Sequence, residues 1–570
     1  MKMTGAEILM DALIQEKVEV VFGFPGGAII DVFNVLNRPG MPRFVLVRHE
    51  QGAGHMADGY ARATGRAGVC MVTSGPGATN LATAIATAYM DSIPIVVITG
   101  QVVTAAIGND AFQEVDVVGF TRPISKHNFL VRKVEDLPRI LKEAFYIANS
   151  GRPGPVVVDL PKDVQQAALE DYAYPKKADL RSYKPTTRGN MMAIKRAAAT
   201  ILKSRRPLLY VGGGANSVRC QELLVEIAEK CQIPCATTLL GLGVFPEDHP
   251  YALKMLGMHG TQYANHAMHS CDCIIAVGAR FDDRVTGKLS EFAPNREEII
   301  HIDIDPSSIS KSIPVTVPVV GDCAEILAEL VKLLQPAEHP EWIEQCAQWK
   351  KNCPLRYKND DGKLRPQYVI DELFKLTGGD AIVATEVGQH QMWAAHFWTY
   401  TKPRHFLSSG GLGTMGFGFP AALGAKLAFP DQLVVDLAGD GSIQMNMQEL
   451  TTAVNEGLHV KVVILNNRCL GMVRQWQEMF YNRNYSGVSL RARAPSLPEG
   501  AYLPDFVRLA EACGGAGFRA RTVEEVRPTL ERMLETENVV FAEFLVEEEE
   551  NVFPMIPAGA GVRQMMGGMA

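Results

Sequence analysis

The chain has 570 residues, 47% of them hydrophobic and 21% charged, with a formal net charge of −7 from 56 basic and 63 acidic side chains. That length supplies material for about three to five domains, and an acidic balance without a Lys/Arg block argues against nucleic acid or an anionic membrane as partner. No apolar run approaches the ~18 residues of a membrane helix. The eleven cysteines lack framework spacing, and residues 1–7 carry neither an apolar h-region nor transit-peptide character, so a cytoplasmic protein is expected.

Short Val/Ile-rich runs alternate with helical patterns along the chain: Phe44–Val47, Gly68–Thr73, Ile95–Thr99, Val156–Leu160, Leu208–Val211, Cys273–Val277, Ile299–Ile304, Leu433–Leu437, Val460–Leu465 and Val539–Val546. Runs apolar on both faces predict parallel strands covered by helices, an α/β class. Polar stretches rich in Pro and charge, Tyr172–Asn190 and Gln335–Pro366, read as irregular connectors. They predict three α/β blocks at 1–170, 190–335 and 366–550, with a Gly/Met/Pro-rich arm at 551–570.

The most informative stretch runs from Leu433 to Asn467. A strand ends in Gly439-Asp440-Gly441, a helical pattern follows to Glu456 and Gly457, and a second strand ends in Asn466-Asn467. This predicts one βαβ unit with Asp440 and Asn467 at the carboxyl ends of parallel strands, where open α/β sheets bind ligands. A carboxylate and an amide oxygen suit Mg2+, which bridges a few protein oxygens to phosphates. Gly439 and Gly441 allow a diphosphate close to backbone N–H groups. Near the start, Glu50 in Arg48-His49-Glu50-Gln51-Gly52-Ala53 stands where a strand becomes a helix, a position that also suits a helix-stabilising acid. Gly23-Phe24-Pro25-Gly26-Gly27 and Ser74-Gly75-Pro76-Gly77-Ala78-Thr79-Asn80 follow strands of the same block. Gly411-Leu412-Gly413-Thr414-Met415-Gly416 matches G-x-G-x-x-G, but no clear strand precedes it, so a Rossmann site is not expected there.

Gly-Asp-Gly, about 25 residues, then Asn-Asn resembles the signature of thiamine-diphosphate enzymes. Further segments narrow the resemblance: Asp110-Ala111-Phe112-Gln113-Glu114, Pro161-Lys162-Asp163, Phe281 through Lys288, Val387-Gly388-Gln389-His390-Gln391-Met392-Trp393 and Gly471-Met472-Val473-Arg474-Gln475-Trp476. Together, from about Thr4 to Gly561, they resemble the large catalytic subunit of biosynthetic acetolactate (acetohydroxyacid) synthases.

The resemblance implies a pyrimidine-binding, a middle FAD-binding and a diphosphate-binding domain, each a mostly parallel sheet flanked by helices. It implies Mg2+ held by Asp440, Asn467 and the backbone carbonyl of Cys469. Glu50 would bond N1′ of the cofactor's aminopyrimidine and promote the tautomer that removes the C2 proton, a role calling for a carboxyl whose pKa is raised by burial. Gly413 would accept from the 4′-amino group and Met415 would force the bent cofactor form. Pro25, Gly75, Asn80, Val387, Gly388, Gln389, His390, Gly439, Gly441, Ser442, Gly471 and Met472 would complete the thiamine site, with Gly26, Gln113 and Lys162 at the reacting centre and substrate channel. Phe112, Met258 and Trp476 would form an apolar wall, Trp476 favouring 2-ketobutyrate, and Arg284 would take the second keto acid's carboxylate. A structural FAD would contact Arg152, Gly212, Gly213, Gly214, Thr238, Leu239, His259, Gly278, Ala279, Arg280, Asp282, Arg284, Asp303, Ile304 and Asp322.

The implied reaction is decarboxylation of pyruvate and condensation of the resulting hydroxyethyl carbanion with pyruvate or 2-ketobutyrate, giving 2-acetolactate or 2-aceto-2-hydroxybutyrate for branched-chain amino-acid synthesis. A homodimer or dimer of dimers with a small regulatory subunit is expected. The alternatives are another FAD-containing thiamine enzyme, such as pyruvate oxidase or a different carboligase, and a catalytically dead paralogue. Intact Glu50, Asp440 and Asn467 speak against the last of these.

Overall fold

A computed structural model describes residues 2–358, 360–498 and 501–567. Three six-stranded sheets organise them. The first contains β1 (Val20–Phe24), β2 (Arg43–Leu46), β3 (Gly68–Val72), β4 (Ile95–Gln101), β5 (His127–Leu130) and β6 (Val156–Pro161). The second contains β7 (Pro207–Val211), β8 (Cys235–Thr237), β9 (Ala252–Met255), β10 (Cys273–Val277), β11 (Glu298–Asp303) and β12 (Val317–Val320). The third contains β13 (Ile382–Thr385), β14 (Phe406–Leu407), β15 (Val434–Gly439), β16 (Lys461–Asn466), β17 (Ala516–Ala520) and β18 (Val540–Leu545).

Every pairing within the three sheets is parallel. Helices cover both faces, so the central strands are buried on both sides and read as continuous apolar runs. The α/β expectation holds, and each apolar run singled out in the sequence is a strand. The criterion passed over the edge strands β5, β9, β12, β14 and β17, which are half-buried or very short and therefore lack such a run. It also passed over β1, β8 and β13.

The first and third sheets share one spatial order. Numbered within each sheet it is 2-1-3-4-6-5, that is β2-β1-β3-β4-β6-β5 and β14-β13-β15-β16-β18-β17. No repeat is visible in the sequence, so the likeness lies in topology. The middle sheet runs β9-β8-β7-β10-β11-β12, which is the doubly wound dinucleotide order 3-2-1-4-5-6.

Helix α1 (Glu50–Thr64) joins the first and third sheets. His49 caps it through Nδ1, which accepts from Gln51 N at 3.1 Å, and Gly65 ends it in the left-handed conformation with φ 75°. Gly- and Ala-rich, it packs against α3 (Gly418–Ala428) with almost no side chain between the backbones. A Cβ at Gly59 would strike the Ala421 carbonyl oxygen, and one at Gly424 would strike that of Met56. A single apolar core consequently runs from Val45, Met56 and Tyr60 through Phe419 and Leu423 to Ile464 and Phe541. Helix α2 (Ala82–Asp91) packs beside α1.

One connector differs from expectation. Within Gln335–Pro366 lies a helix, Pro340–Asn352, started by Pro at its first turn. Trp342, Cys346 and Trp349 recur at i, i+4 and i+7 and form an apolar stripe within a charged segment. Trp342 is buried and its indole donates to the Pro207 carbonyl at 2.9 Å. Tyr172–Asn190 is irregular, as read, but docked: Tyr183 donates to the Ser150 carbonyl at 2.7 Å. The arm is anchored through buried Val552 and Met555, and Ile556 N donates to Met258 O at 2.8 Å. All eleven cysteines are free. Among the described residues no helix is long and apolar enough to cross a membrane.

In an isolated helix, Gly→Ala stabilises by about 1 kcal/mol. Here Gly59→Ala and Gly424→Ala are expected to destabilise by about 1–3 kcal/mol, because overpacking outweighs propensity. Lower urea midpoints with unchanged slopes would show this; higher midpoints would contradict the close helix contact.

Candidate active site

The sequence-predicted residues of the first domain gather at the carboxyl ends of β1, β2, β3 and β6. Glu50 Oε2 accepts from Asn80 Nδ2 at 2.9 Å. A Cβ at Gly77 would lie 3.5 Å from Glu50 Oε1, and one at Gly26 would lie 2.5 Å from the Thr73 hydroxyl. Lys162 Nζ donates to Gly27 O at 3.0 Å, next to Gly26 and Pro25. Gly75, at φ 58°, admits the backbone of Gln113, whose carbonyl a Cβ there would meet at 2.7 Å. Phe112 projects into solvent, 87% exposed. Glu50 is half-buried within its own chain, so the apolar enclosure expected for it is not found there.

Sequence reading missed Thr73 and Ser74, whose buried hydroxyls have no partner. It also missed what holds the segment before Glu50. Glu449 of the third domain accepts from Arg48 N at 3.0 Å, His49 N at 2.9 Å and the Thr452 hydroxyl at 2.7 Å. Gly52 leaves room for it, since a Cβ there would lie 2.5 Å from Glu449 Oε1. Burial pushes the Glu449 carboxyl up to about 7, against the opposing effect of these donors.

The second cluster lies at the carboxyl ends of β13, β15 and β16. Asp440 is 1% exposed, and its Oδ2 has no partner. Burial raises its carboxyl to about 7, opposed by the Tyr502 hydroxyl and by the N–H groups of Gly441 and Arg468. Asn467 Nδ2 donates to Gln389 Oε1 at 3.3 Å, and Cys469 N donates to Asn467 Oδ1 at 3.2 Å. A Cβ at Gly471 would collide with Gln389 Oε1 and lie 2.5 Å from Asn467 Nδ2. Met472, one residue further on, packs partly buried against the third domain's core. A Cβ at Gly439 would lie 2.5 Å from His390 Nδ1, and His390 Nε2 is buried without a partner. Burial lowers the His390 pKa to about 3, so the ring is neutral.

Among the described residues no group of three or more His, Cys, Asp and Glu could hold a metal by itself. One orphaned carboxylate oxygen beside amide and carbonyl oxygens instead fits a cation that takes its other ligands from a phosphate.

Between these clusters runs Ser408–Phe417, with Gly413 exposed at φ 69°, where a Cβ would lie 3.9 Å from Val387 Cγ1, and Met415 Cε 3.9 Å from a Cβ at Gly441. The group beneath it has no signature in the sequence. Buried Glu386, just before Val387 and Gly388, accepts from Gly416 N at 2.7 Å, Phe419 N at 3.1 Å and the Ser442 hydroxyl at 2.6 Å. Burial holds its carboxyl above the usual range even so. Asp436 of β15 is fully buried with both oxygens unpartnered; burial and the neighbouring Glu386 push its pKa well above the usual value.

In the middle domain, Gly212, Gly213 and Gly214 follow β7 and face Gly278 after β10. Gly214 N donates to Gly278 O at 3.0 Å. A Cβ at Gly278, φ 59°, would lie 2.6 Å from Ala215 N. This is the switch point of the doubly wound sheet, where such folds take dinucleotides. Thr238 and Leu239 follow β8, while Ala279 and Arg280 follow Gly278. Asp303 and Ile304 stand at the end of β11, and Arg152 pairs with Asp305 at 3.2 Å. Asp282 and Asp322 cap the helices Asp283–Thr286 and Cys323–Leu333 through their side chains. His259 is buried, and desolvation lowers its pKa to about 3. Arg284 is exposed, with Nη1 3.8 Å from Met258 Sδ. Trp476 packs edge-on against Phe480, and its neighbour Gln475 donates from Nε2 to Val552 O of the arm at 3.1 Å.

Three family profiles match the chain: "Thiamine pyrophosphate enzyme, N-terminal TPP binding domain" at residues 3–120, the "central domain" at 194–330 and the "C-terminal TPP binding domain" at 386–544. The chain is a thiamine pyrophosphate enzyme. It is 50% identical to the acetolactate synthase isozyme 3 large subunit of Escherichia coli, over 99% of this chain and 98% of the relative. It is 47% identical to the acetolactate synthase large subunit of Haemophilus influenzae, with the same coverage, and 49% identical to the acetolactate synthase of Mycobacterium leprae, over 98% of this chain and 89% of the relative. Within the thiamine enzymes, the chain belongs to the acetolactate synthase large-subunit family.

Glu386→Gln would set an amide N–H among three donors, a cost of about 1–3 kcal/mol. Amide exchange at Gly416 and Phe419 is expected to quicken about tenfold or more; unchanged exchange would remove Glu386 from the support of the loop.

Proposed function

We propose that this chain converts pyruvate to 2-acetolactate, and pyruvate with 2-ketobutyrate to 2-aceto-2-hydroxybutyrate, with Mg2+, thiamine diphosphate and FAD bound. The observation that carries the reading is the pair of strand-end clusters on two sheets of the same topology, one holding Glu50 with Asn80 and the other Asp440 with Asn467. When bound, thiamine diphosphate supplies the electron sink for decarboxylation and carbon–carbon bond formation.

The chain's own groups bind and orient. Asp440, Asn467 and the Cys469 carbonyl hold the cation, and Gly439, Gly441 and Ser442 receive the diphosphate beside it. Gln389, His390, Gly471 and Met472 close around it. Glu50, held by Asn80, keeps a proton at the pyrimidine nitrogen. Gly413 takes the amino group, and Met415 fills the space below. Lys162, Gln113 and Gly26 form the channel on the first domain. Arg284 takes the acceptor's carboxylate, its fork matching two oxygens, with Met258 and Trp476 beside it. FAD would sit at the middle sheet's switch point, where the close contact of Gly212–Gly214 with Gly278 keeps side chains out of the crevice, and would serve structurally because the reaction transfers no net electrons.

The active unit is at least a homodimer, in which one chain's first domain meets the other's third. Support comes from half-buried Glu50, solvent-facing Gly413, and the exposed apolar side chains Phe24, Leu46 and Phe112 on one rim and Leu412 and Met445 on the other. Relatives named as large subunits support a small regulatory partner.

Incubation with pyruvate, Mg2+, thiamine diphosphate and FAD is expected to yield acetolactate; acetyl phosphate with peroxide would make it an oxidase, and no turnover would favour a dead paralogue. Glu50→Gln is expected to slow turnover about 10²–10⁴-fold while cofactor affinity changes little. Weaker binding with normal turnover of the bound fraction would contradict the proton-holding role. Trp476→Leu should lower the preference for 2-ketobutyrate over pyruvate about 10–100-fold, since one methylene is worth ~1–3 kcal/mol. Competition assays would read this, and an unchanged ratio would remove Trp476 from the acceptor pocket.

A further inference from the structure

The segment Ser408–Phe417 belongs by sequence to the third domain, which holds its ends at Ser408 and Gly416, yet the hydrogen bonds at residues 410, 411 and 414 run to the first. Asp91, the last residue of α2, has a fully buried side chain. Its Oδ1 accepts from Gly411 N at 2.6 Å and its Oδ2 from Gly410 N at 3.0 Å. Oδ2 also meets Arg62 Nη2 at 2.8 Å. Arg62, on α1, is held by Asp58 through Nε at 2.5 Å, donates from Nη1 to Ser408 O at 2.8 Å, and lies over the Phe417 ring.

One turn back on α2, the Thr87 and Thr414 hydroxyls are 2.7 Å apart. Thr87 donates its single proton to Thr83 O at 2.8 Å, so Thr414 is the donor in the pair. The segment contains Gly410, Gly411, Gly413 and Gly416, which by themselves leave the backbone many conformations. Anchors at 410–411 and at 414 therefore bracket Gly413, and Met415 lies between the anchor at Thr414 and the Glu386 anchor at Gly416 N. Side-chain room is also gone at Gly411, where a Cβ would lie 2.8 Å from Asp91 Oδ1 and 3.0 Å from Arg280 Nη2.

We propose that Asp91, with Thr87 as a second peg, is a positioning residue for the thiamine site: the charged end of α2 holds the glycine-rich loop so that Gly413 and Met415 meet the aminopyrimidine in one geometry. The inference rests on the reading that this loop receives thiamine diphosphate. Asp91 touches neither cofactor nor substrate and acts through the loop backbone. Arg62 keeps Asp58 as counter-ion when Asp91 is neutralised, so the variant tests the loop anchor rather than an orphaned buried cation.

The experiment uses full-length chain reconstituted with Mg2+, FAD and saturating thiamine diphosphate, and compares wild type, Asp91→Asn and Thr87→Val. It reads deuterium exchange at C2 of the bound cofactor alongside kcat and the thermal midpoint. Misplacement by about 1 Å costs on the order of 10². Asp91→Asn is therefore expected to slow C2 exchange and kcat together by about 10–100-fold in the folded, cofactor-saturated protein, and Thr87→Val by about 3–10-fold. A merely structural role would lower the midpoint and leave exchange in the bound fraction unchanged. Exchange within about twofold of wild type in folded Asp91→Asn would overturn the proposal, and if that variant fails to fold, the same result in Thr87→Val would do so. Wild-type chain that binds no thiamine diphosphate would sink the site reading, a different failure from normal binding with exchange indifferent to Asp91.

Discussion

The structure depends on one contact, the near-bare packing of Glu50–Thr64 against Gly418–Ala428. Glycine at 59 and 424 lets each helix press on the other's carbonyl oxygens, so the two sheets that carry the candidate thiamine residues behave as one body with a shared core. Glycines in a helix forfeit about 1 kcal/mol each relative to alanine, and dense burial of the surrounding Ala, Met, Tyr and Phe side chains offsets it. The first residue of one helix is Glu50, and the second helix follows directly on the loop bearing Gly413 and Met415. Within one chain, the same contact therefore fixes the first-domain cluster relative to the third-domain cluster.

Around that contact the two domains hold each other's functional segments. Glu449 of the third domain receives the N–H groups just before Glu50, while Asp91 and Thr87 of the first receive the loop before Met415. The holders are buried carboxylates that accept from backbone N–H groups and one hydroxyl that accepts from the Thr414 hydroxyl, so they fix the segments' position and leave the functional side chains free. Glu386 repeats the device within the third domain, under Gly416 and Phe419. Buried acceptors of this kind are strong anchors because a donor left without its partner costs more than the bond contributes when made.

The two outer sheets share a strand order and place their ligands at corresponding carboxyl ends, although no sequence repeat announces it. Strand order is set by which apolar faces bury together, and many sequences satisfy that. The middle sheet makes the same point for nucleotides. The literal G-x-G-x-x-G lies outside it, in the loop at 411–416, while the sheet's switch point falls where Gly212–Gly214 meet Gly278, a pairing of glycines 64 residues apart.

Local chemistry, written in consecutive residues, was legible without coordinates. The apolar runs marked central strands, Gly-Asp-Gly and Asn-Asn marked adjacent strand ends, and Gly457 marked a helix stop in the left-handed conformation. These follow from nearest-neighbour sterics and periodicity, which the chain carries at every position. Five of the six edge strands, the helix Pro340–Asn352 within a charged connector, and the partners Glu386, Glu449, Asp436 and Asp91 were decided only by tertiary structure. Each is an acid or a half-buried segment whose meaning depends on what covers it, and that cover comes from residues tens to hundreds of positions away. A buried carboxylate looks like a surface one until the donors that surround it are in place.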